Sequence, residues 1–334
     1  MTDIEVFARV ALGFVDEVRS VEPFGQGLIN ETALVTASTG DCVLQRINTD
    51  VFTDPDAVMR NIIVVHRHLD GRLVPEPLRT HNGQWLVRDA SGAWRAWRRV
   101  PEAEPLRSIS LDSARAAGEL LGRFHTALAD LDPTSVVETL PRFHDPRRRL
   151  DALRATVAAD PCDRAASARD EIDAVLQAVA LVERVDDVQA RVPRRVAHND
   201  AKLDNVLFRA SHAVCLVDLD TLMPGAWFWD VGDLVRTAGT YAEEDDPRAS
   251  IDPQLYNAVL DGYRRQAAGV LDASERDAVD SAGASVTFEQ AVRFLTDWVA
   301  GDVYYRTTRP DQNLDRARAQ LRLLESMPGT VPYS

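Results

Sequence analysis

The sequence predicts an α+β fold with two lobes: a small N-terminal lobe built on an antiparallel sheet with one main helix, and a larger, mostly helical C-terminal lobe. β-rich runs separated by glycine turns fill residues 15–100, helical periodicity dominates from Ser110 onward, and a proline-rich segment from Pro101 to Pro105 separates the two regions. The 334 residues suffice for two cores. We therefore assign residues 1–102 to the first lobe and residues 103–334 to the second.

Turn residues set the limits of the predicted elements in the first lobe. Residues 3–14 have the apolar spacing of a short amphipathic helix, and strands are predicted at residues 15–24, 28–37, 41–47, 78–80, 84–88 and 93–100. Asp54-Pro55-Asp56 predicts the start of the main helix, because aspartate caps a helix N-terminus and proline fits the first turn. Gly71 is expected to end this helix.

The second lobe contains helical apolar stripes. Helices are predicted around residues 110–128, 172–182, 288–300 and 314–327. In the first of them, Gly118 and Gly122 favour close packing against another helix. His125 lies on the apolar stripe of the same helix, so we interpret it as a packed core residue rather than a catalyst.

Composition restricts the partners of the chain. The net charge of −14 argues against nucleic acid and anionic membranes, since both require a basic surface. No apolar run approaches the roughly 20 residues of a membrane span. Cys42, Cys162 and Cys215 have no metal-ligand or disulfide spacing, which suits a reducing cytoplasm, and all three are expected to pack as small apolar residues. The oligomeric state stays open, with a monomer favoured.

The segment from His198 to Asp220 carries the strongest functional signal. His198, Asp200 and Asn205 have the spacing H-x-D-x-x-x-x-N, which is typical of kinase catalytic loops. There the aspartate orients the attacking hydroxyl and accepts its proton, and the asparagine binds Mg²⁺. Asp218 follows the next strand as the main Mg²⁺ anchor, and Asp220 projects to the same side as a candidate ligand of a second ion.

Lys202, two positions after Asp200, is a second catalytic candidate. It is the single lysine among 38 basic residues, and a compact ammonium is not interchangeable with a guanidinium at a crowded γ-phosphate. A surface hairpin with solvated acids is the alternative interpretation of the segment. The combination of H-x-D-x-x-x-x-N, an apolar strand and D-x-D is much more restrictive than a lone H-x-D, and it favours kinase chemistry.

Nucleotide-binding candidates lie in the small lobe. Gly25 and Gly27 form a turn between the first two strands, where a kinase places backbone N–H groups against ATP phosphates; a tight hairpin turn is the alternative. The usual lysine–glutamate pair is missing, since the third strand has no lysine and the main helix no glutamate. Gln45 or Arg46 is therefore expected to contact the phosphates, and the sequence does not decide between them.

Further candidates lie close to the catalytic segment. Asp230 begins a predicted helix, so its carboxylate either caps that helix or braces the catalytic loop, and His198 is assigned a structural role. Asp233 and Arg236 are one helical turn apart and can face the same cleft.

These motifs together resemble the aminoglycoside phosphotransferase and choline kinase superfamily, which has a bilobal protein-kinase-like fold. Within it the sequence is most similar to bacterial N-acetylhexosamine 1-kinases. The resemblance covers almost the whole chain and is carried by these segments: GQGLIN, LQRIN, DPD, HNDAKLDNVLF, VDLDTLMPG, GDLVRTAG, FLTDW and GDVYY. One departure is Arg60-Asn61, where the family pattern leads us to expect Glu-Asn.

The resemblance implies transfer of the ATP γ-phosphate to the anomeric hydroxyl of N-acetylglucosamine or N-acetylgalactosamine, with Mg²⁺ as cofactor. Asp233 and Arg236 are then candidates for acceptor binding, as are Trp298, Asp302 and Tyr305 in the C-terminal region. Core packing is the alternative for those last three. Phosphorylation of another hexose, an aminoglycoside or an amino alcohol is a second hypothesis, and a nucleotide-binding pseudokinase is a third.

Overall fold

A computed structural model of the chain describes residues 3–25 and 29–328. It confirms the α+β fold, with an antiparallel-sheet N-lobe and a helical C-lobe. The helices are α1 (Asp3–Ala11), α2 (Pro55–His68), α3 (Leu111–Ala127), α4 (Pro146–Ala159), α5 (Arg169–Gln177), α6 (Val179–Arg191), α7 (Trp227–Ala238), α8 (Pro253–Ala267), α9 (Ala273–Ala300) and α10 (Gln312–Ser326).

The strands form three antiparallel sheets within the described part of the chain. They are β1 (Val18–Pro23), β2 (Glu31–Ala37), β3 (Cys42–Ile47), β4 (Val87–Asp89), β5 (Gly92–Arg98), β6 (Arg195–Ala197), β7 (Val206–Arg209), β8 (His212–Leu216) and β9 (Met223–Gly225). The N-lobe sheet has the order β1-β2-β3-β5-β4, and β6 pairs with β9 and β7 with β8. The strand predicted at residues 78–80 is wrong: Leu78 makes one main-chain hydrogen bond, to Ala96 (2.8 Å), and no strand forms.

Alternation along β3 and β5 divides the sheet into two faces. Leu44, Trp94 and Ala96 pack with α1 in an outer apolar cluster. Gln45 is the cross-strand partner of Arg95, so both side chains project from the opposite, inner face. The inner face is the one that meets the C-lobe, because Trp97 belongs to the large core cluster that includes residues of both lobes.

Helix α2 joins the sheet to the C-lobe. It begins as predicted, since the Asp54 carboxylate accepts a hydrogen bond from the Ala57 amide (2.9 Å) and Pro55 occupies the first turn. The buried Asn61 side chain donates to the carbonyls of Val137 and Leu222, each at 2.8 Å. These two bonds attach the helix to the C-lobe.

Glycines allow the closest helix contact of the C-lobe. A Cβ atom at Gly118 would lie 2.1 Å from the Val259 carbonyl oxygen, and one at Gly122 would lie 2.7 Å from that of Tyr263, so α3 and α8 pack backbone to backbone as predicted. The helix predicted around residues 172–182 is in fact two helices, α5 and α6, which meet at Ala178.

Two further expectations are tested by the fold. Cys42 and Cys215 are buried as predicted, but Cys162 is exposed, so the expectation that all three cysteines are packed is wrong. Among residues 3–25 and 29–328, no helix has both the length and the apolar content needed to span a bilayer.

Candidate active site

The predicted catalytic loop directly follows β6. His198 donates from Nε2 to the Val217 carbonyl (2.9 Å), and its Nδ1 accepts from the amide of Asp200 (3.3 Å). The Asp200 carboxylate remains 24% exposed and lies 3.0 Å from Nδ2 of Asn205 and 3.4 Å from Nζ of Lys202. The structure thus brings Asp200, Lys202 and Asn205 together at an open edge of the C-lobe.

Two residues of the loop region have left-handed backbone conformations. Asn199 has φ 62° and Asp218 has φ 60°. The side-chain Nδ2 of Asn199 donates to the main-chain carbonyls of Thr221 (3.0 Å) and Met223 (3.3 Å), and these hydrogen bonds offset the backbone strain. Gly225 permits this approach, because a Cβ atom there would lie 2.3 Å from Oδ1 of Asn199. These contacts hold the main chain of the loop in a defined conformation around Asn199.

Asp230 braces the loop from behind. Its carboxylate accepts hydrogen bonds from the amides of His198 (2.9 Å) and Asn199 (2.6 Å). Helix α7 begins three residues earlier, at Trp227, and its N-cap is Ala226. Of the two roles that the sequence left open for Asp230, the geometry therefore favours the brace.

His125 supports this brace. It is fully buried, its Nε2 lies 2.9 Å from Oδ2 of Asp230, and its Nδ1 lies 2.9 Å from the Tyr263 hydroxyl. Burial lowers the pKa of His125. Burial alone would raise the pKa of Asp230, but its bonds to His125 and His198 outweigh that effect and lower it. The core placement of His125 was predicted, whereas its polar partners were not.

Asp218 and Asn205 fit a magnesium site. The surrounding protein atoms and the negative charges of Asp220 and Asp200 raise the pKa of Asp218 to about 6, although Lys202 and Arg95 oppose this, so a cation bound there would relieve the repulsion. Nδ2 of Asn205 donates to the main-chain oxygen of Asp200 (2.7 Å), which leaves the amide oxygen as the ligand atom. The described residues contain no group of three or more acidic, histidine or cysteine ligands, and Mg²⁺ bound partly by nucleotide phosphates needs only one or two carboxylates.

Asp220 faces the N-lobe sheet instead of open solvent. Its side chain is 2% exposed, one oxygen accepts from Nδ2 of Asn30 (2.6 Å), and the other pairs with the Arg95 guanidinium. Both oxygens are thus engaged by protein groups. The assignment of Asp220 to a second metal ion stays a prediction that this geometry does not favour.

The predicted nucleotide-binding residues differ in where they lie. Gly25 has φ 75° with open space around it, and Gly27 lies outside the described residues. Oε1 of Gln45 accepts from Trp97 Nε1 (2.7 Å) on the inner sheet face. Arg46 projects from the outer face, pairs with Glu31 and lies over the Trp94 ring.

Arg95 is a residue that the sequence interpretation missed. Its fully buried guanidinium reaches Asp220 from the inner face of β5. Kinases carry the phosphate-binding cation on the third strand, whereas Arg95 lies on β5, which is next to β3 in the sheet. An arginine in the middle of the apolar run Trp94-Arg95-Ala96-Trp97 was the available signal.

The predicted acceptor residues fall into two groups. Asp233 and Arg236 are buried and pair with each other at 2.7 Å, and Thr237 of the same helix accepts from the Leu203 amide (2.8 Å). This group thus lies against the back of the catalytic loop. Trp298 and Asp302 lie at and just beyond the C-terminal end of α9, where they are hydrogen-bonded to Asp311 (3.0 Å) and Arg164 (2.7 Å) respectively.

Tyr305 belongs to a polar cluster beside the catalytic loop that the sequence did not reveal. We call it the acceptor-side cluster, and its members are His144, Arg149, Glu289, Arg293 and Tyr305. Glu289 lies 3.4 Å from His144 and 3.6 Å from Arg149, within ion-pair range. The buried Tyr305 hydroxyl and both Glu289 oxygens have no hydrogen-bond partner among the described residues.

The acceptor-side cluster is connected to the catalytic loop. His144 Nε2 donates to the main-chain oxygen of Asn199 (3.0 Å), and the imidazole stacks on Trp229 at a centroid distance of 4.5 Å. Burial would lower the pKa of Arg293, but the neighbouring tyrosines and Glu289, with a smaller effect of Asp200, raise it. The polar groups without a hydrogen-bond partner therefore lie on α9 and on the segment that follows it, beside the catalytic loop.

A helical lobe that presents a carboxylate, a metal-ligand pair and a lysine toward an antiparallel sheet has the arrangement of a kinase-like phosphotransferase. The sequence matches the profile of the phosphotransferase enzyme family over residues 20–272, which is more than half of the chain. The protein therefore belongs to this family.

Solved structures support the fold assignment. The chain is similar to amicoumacin kinase hAmiN, solved with AMP-PNP, Ca²⁺ and Ami, with a TM-score of 0.65 and 16% identity over 100% of this chain and 96% of that one. It is also similar to an aminoglycoside phosphotransferase from Alicyclobacillus acidocaldarius (TM-score 0.62, 16% identity, 95% and 93% covered). Choline kinase LicA from Streptococcus pneumoniae is similar with a TM-score of 0.62 and 13% identity, over 97% of this chain and 100% of that one. These similarities concern the fold.

Proposed function

We propose that this phosphotransferase transfers the γ-phosphate of ATP to the anomeric hydroxyl of an N-acetylhexosamine, either N-acetylglucosamine or N-acetylgalactosamine, and so produces the sugar 1-phosphate. One observation carries the proposal. The partly exposed carboxylate of Asp200 has the metal-ligand pair on one side, and the acceptor-side cluster, with its unpaired polar groups, is connected to the same loop.

The residues of the chain divide the reaction between them. Asp200 orients the acceptor hydroxyl and takes its proton as the new P–O bond forms and the bond to ADP breaks. Asn205 and Asp218 would hold Mg²⁺, which offsets negative charge on the phosphates. Lys202 is kept protonated, since the charge of Asp200 raises its pKa although burial opposes this, and its ammonium can meet the transferred phosphoryl group.

The charges of the acceptor-side cluster support a neutral acceptor. Arg149 and Arg293 provide two cations, whereas Glu289 provides one carboxylate. A polycationic aminoglycoside or a choline-like amine would meet repulsion from the two arginines. A sugar with hydroxyl and acetamido groups needs both donors and acceptors, and Arg293, Tyr305 and Glu289 offer both kinds. The exposed ring of Tyr304 adds an aromatic face at the rim.

The test is a panel of acceptors assayed for ATP-dependent ADP release. It contains N-acetylglucosamine, N-acetylgalactosamine, glucosamine, glucose, galactose, choline and kanamycin. We expect turnover with an N-acetylated hexosamine and background rates with choline and kanamycin. Turnover with kanamycin but with no neutral sugar would overturn the proposal. Binding of Mg·ATP without any acceptor-dependent ADP release would instead support the pseudokinase hypothesis.

A further inference from the structure

The Arg95 guanidinium is a buried cation with one nitrogen left over. Nε donates to Oε1 of Gln45 (3.0 Å), and Nη1 pairs with Asp220. Nη2 is buried and has no hydrogen-bond partner among the described residues. An unsatisfied N–H of a buried charged group is costly, so this nitrogen indicates a place where a ligand completes the bonding.

Sheet geometry directs this guanidinium toward the cleft. Arg95 is the register partner of Gln45, and both project from the inner face of the sheet. Arg46 is the register partner of Trp94 and projects from the outer face, where it pairs with Glu31. Side chains alternate along a strand, so Arg46, one position after Gln45, faces away from the catalytic loop, whereas Arg95 faces it.

Asp220 provides a second link to the cleft. It lies two residues after the metal-site candidate Asp218, and it pairs with Nη1 of Arg95. Asn30, which follows the glycine turn, donates to the same carboxylate, and its own side-chain oxygen accepts from the Asn48 amide (3.0 Å). The carboxylate therefore joins Arg95 to the segment that follows the turn.

We propose that Arg95 binds the non-transferred phosphates of Mg·ATP through Nη2, and that Asp220 serves as its counter-ion rather than as a magnesium ligand. Strand β5 thus supplies the cation that β3 lacks. Gln45 and Asp220 hold two edges of the planar guanidinium, so the third edge is preoriented to donate to a phosphate oxygen. The inference rests on the proposed function only in taking ATP as the phosphate donor, and it does not depend on the acceptor.

The experiment is calorimetric titration of the full-length protein with Mg·ATP, Mg·ADP and adenosine, without an acceptor. For Arg95→Gln we expect the affinity for ATP and ADP to fall roughly tenfold to hundredfold, while that for adenosine changes less than about threefold. Arg88→Gln, the control, removes an exposed arginine of the same sheet that pairs with Asp56 (2.6 Å), and it should bind all three like the wild type. Equal losses for adenosine and ATP would indicate a purely structural role and overturn the proposal, as would unchanged ATP binding.

Two more variants cover the remaining outcomes. Arg95→Lys keeps the positive charge and loses the planar guanidinium, so it should fold and bind ATP with intermediate affinity. Wild-type affinity of this variant would contradict a role for the guanidinium geometry. For Asp220→Asn the Mg²⁺ concentration that half-saturates ADP binding should stay unchanged, whereas Asp218→Asn should raise it. An equal rise in both variants would make Asp220 a metal ligand. If the Arg95 and Asp220 variants behaved as expected while no acceptor was phosphorylated, the proposed function alone would fail.

Discussion

Asp200 and Asp218 are carboxylates of one site with different surroundings. Asp200 is partly exposed and has an ammonium and an amide beside it. Asp218 is more exposed than Asp200, but the protein atoms around it and two neighbouring carboxylates raise its pKa to about 6. A bound divalent cation would relieve this repulsion. We therefore propose that Asp200 accepts the proton and that Asp218 binds the metal ion.

We therefore expect Asp200→Asn and Asp218→Asn to fail in different ways. Asp200→Asn should keep ATP affinity within about threefold and lose roughly 100-fold or more of kcat, because it removes a general base. Asp218→Asn should weaken Mg·ATP binding by at least about tenfold. Paired titration and steady-state measurements separate these effects. Near-normal turnover of Asp200→Asn would show that the catalytic-loop assignment is incorrect.

Arg293 provides a residue-scale test of the acceptor-side cluster. Arg293→Met should raise the acceptor KM by roughly tenfold and leave the ATP KM unchanged, since the lost group is a charged hydrogen-bond donor. The matched control is Arg147→Met, which removes an exposed arginine paired with Asp186 on the same lobe. If the ATP KM rose in parallel with the acceptor KM, Arg293 would act through the fold instead of through the acceptor.

At the residue scale, the sequence predicted which candidate residues lie together only where they are close in the chain, and their roles stay predictions. Asp200, Lys202 and Asn205 are separated by five positions and were identified from their spacing. Arg95 and Asp220 are 125 positions apart, and Asn30 and Asp220 are 190 apart. The spacing rules of a single chain do not reveal such pairs, because the sheet register and the lobe packing bring them together. The acceptor-side cluster was missed for the same reason.

At the scale of elements, the contact between α3 and α8 depends on glycine. The Cβ atom of Gly118→Ala would meet the carbonyl oxygen of Val259 at 2.1 Å, and a helix backbone cannot move aside like a flexible side chain. We expect this variant to lose about 2–3 kcal/mol of unfolding free energy in urea titration. Gly269→Ala, with no atom within 4 Å of the added Cβ, should change it little. Equal stabilities of the two variants would contradict the packing described.

The brace between α3 and α7 gives a pH dependence with a defined sign. Burial lowers the pKa of His125 from its ordinary value of 6.5, although Asp230 and Glu275 oppose this and His198 adds to it. The Tyr263 hydroxyl contacts the other ring nitrogen. The unfolded chain therefore takes up a proton at this histidine below about 6.5 before the folded chain does. The contribution of neutral His125 to stability is therefore full above about pH 6.5 and is lost as the pH falls below this value.

We predict that His125→Gln reduces the pH dependence of stability. The midpoint of urea unfolding should fall between pH 7.5 and pH 5.5 in the wild type, and it should fall less in the variant. His212→Gln provides the control, since His212 is exposed on the β7–β8 hairpin. An identical decrease of the unfolding midpoint in the wild type and in His125→Gln would show that His125 is not the source of the pH dependence.

Secondary structure was predicted well where periodicity is strong. The N-cap of α2 and the glycine contact of α3 follow from local chemistry, and both are confirmed. The break at Ala178 was missed because α5 and α6 both contribute to one apolar cluster, so the stripe continues across it. The strand at residues 78–80 was predicted from composition, but only isolated main-chain bonds form there.

On the scale of the whole molecule, apolar and polar contacts connect the two lobes. The large core cluster contains Ile62 and Trp97 of the N-lobe with Phe124 and Trp227 of the C-lobe. The Arg95–Asp220 pair adds a buried polar link beside the site. The N-lobe residues of the proposed nucleotide site and the C-lobe residues of the proposed acceptor site therefore belong to one packed structure.

The most direct test of the account is the position of the transferred phosphate. The protein is incubated with Mg·ATP and N-acetylglucosamine, and the product is examined by phosphorus NMR with detection of coupling to sugar protons. We expect one phosphate coupled to the anomeric proton, with no product from Asp200→Asn. A phosphate on another hydroxyl, or no phosphorylated sugar with either N-acetylhexosamine, would contradict it.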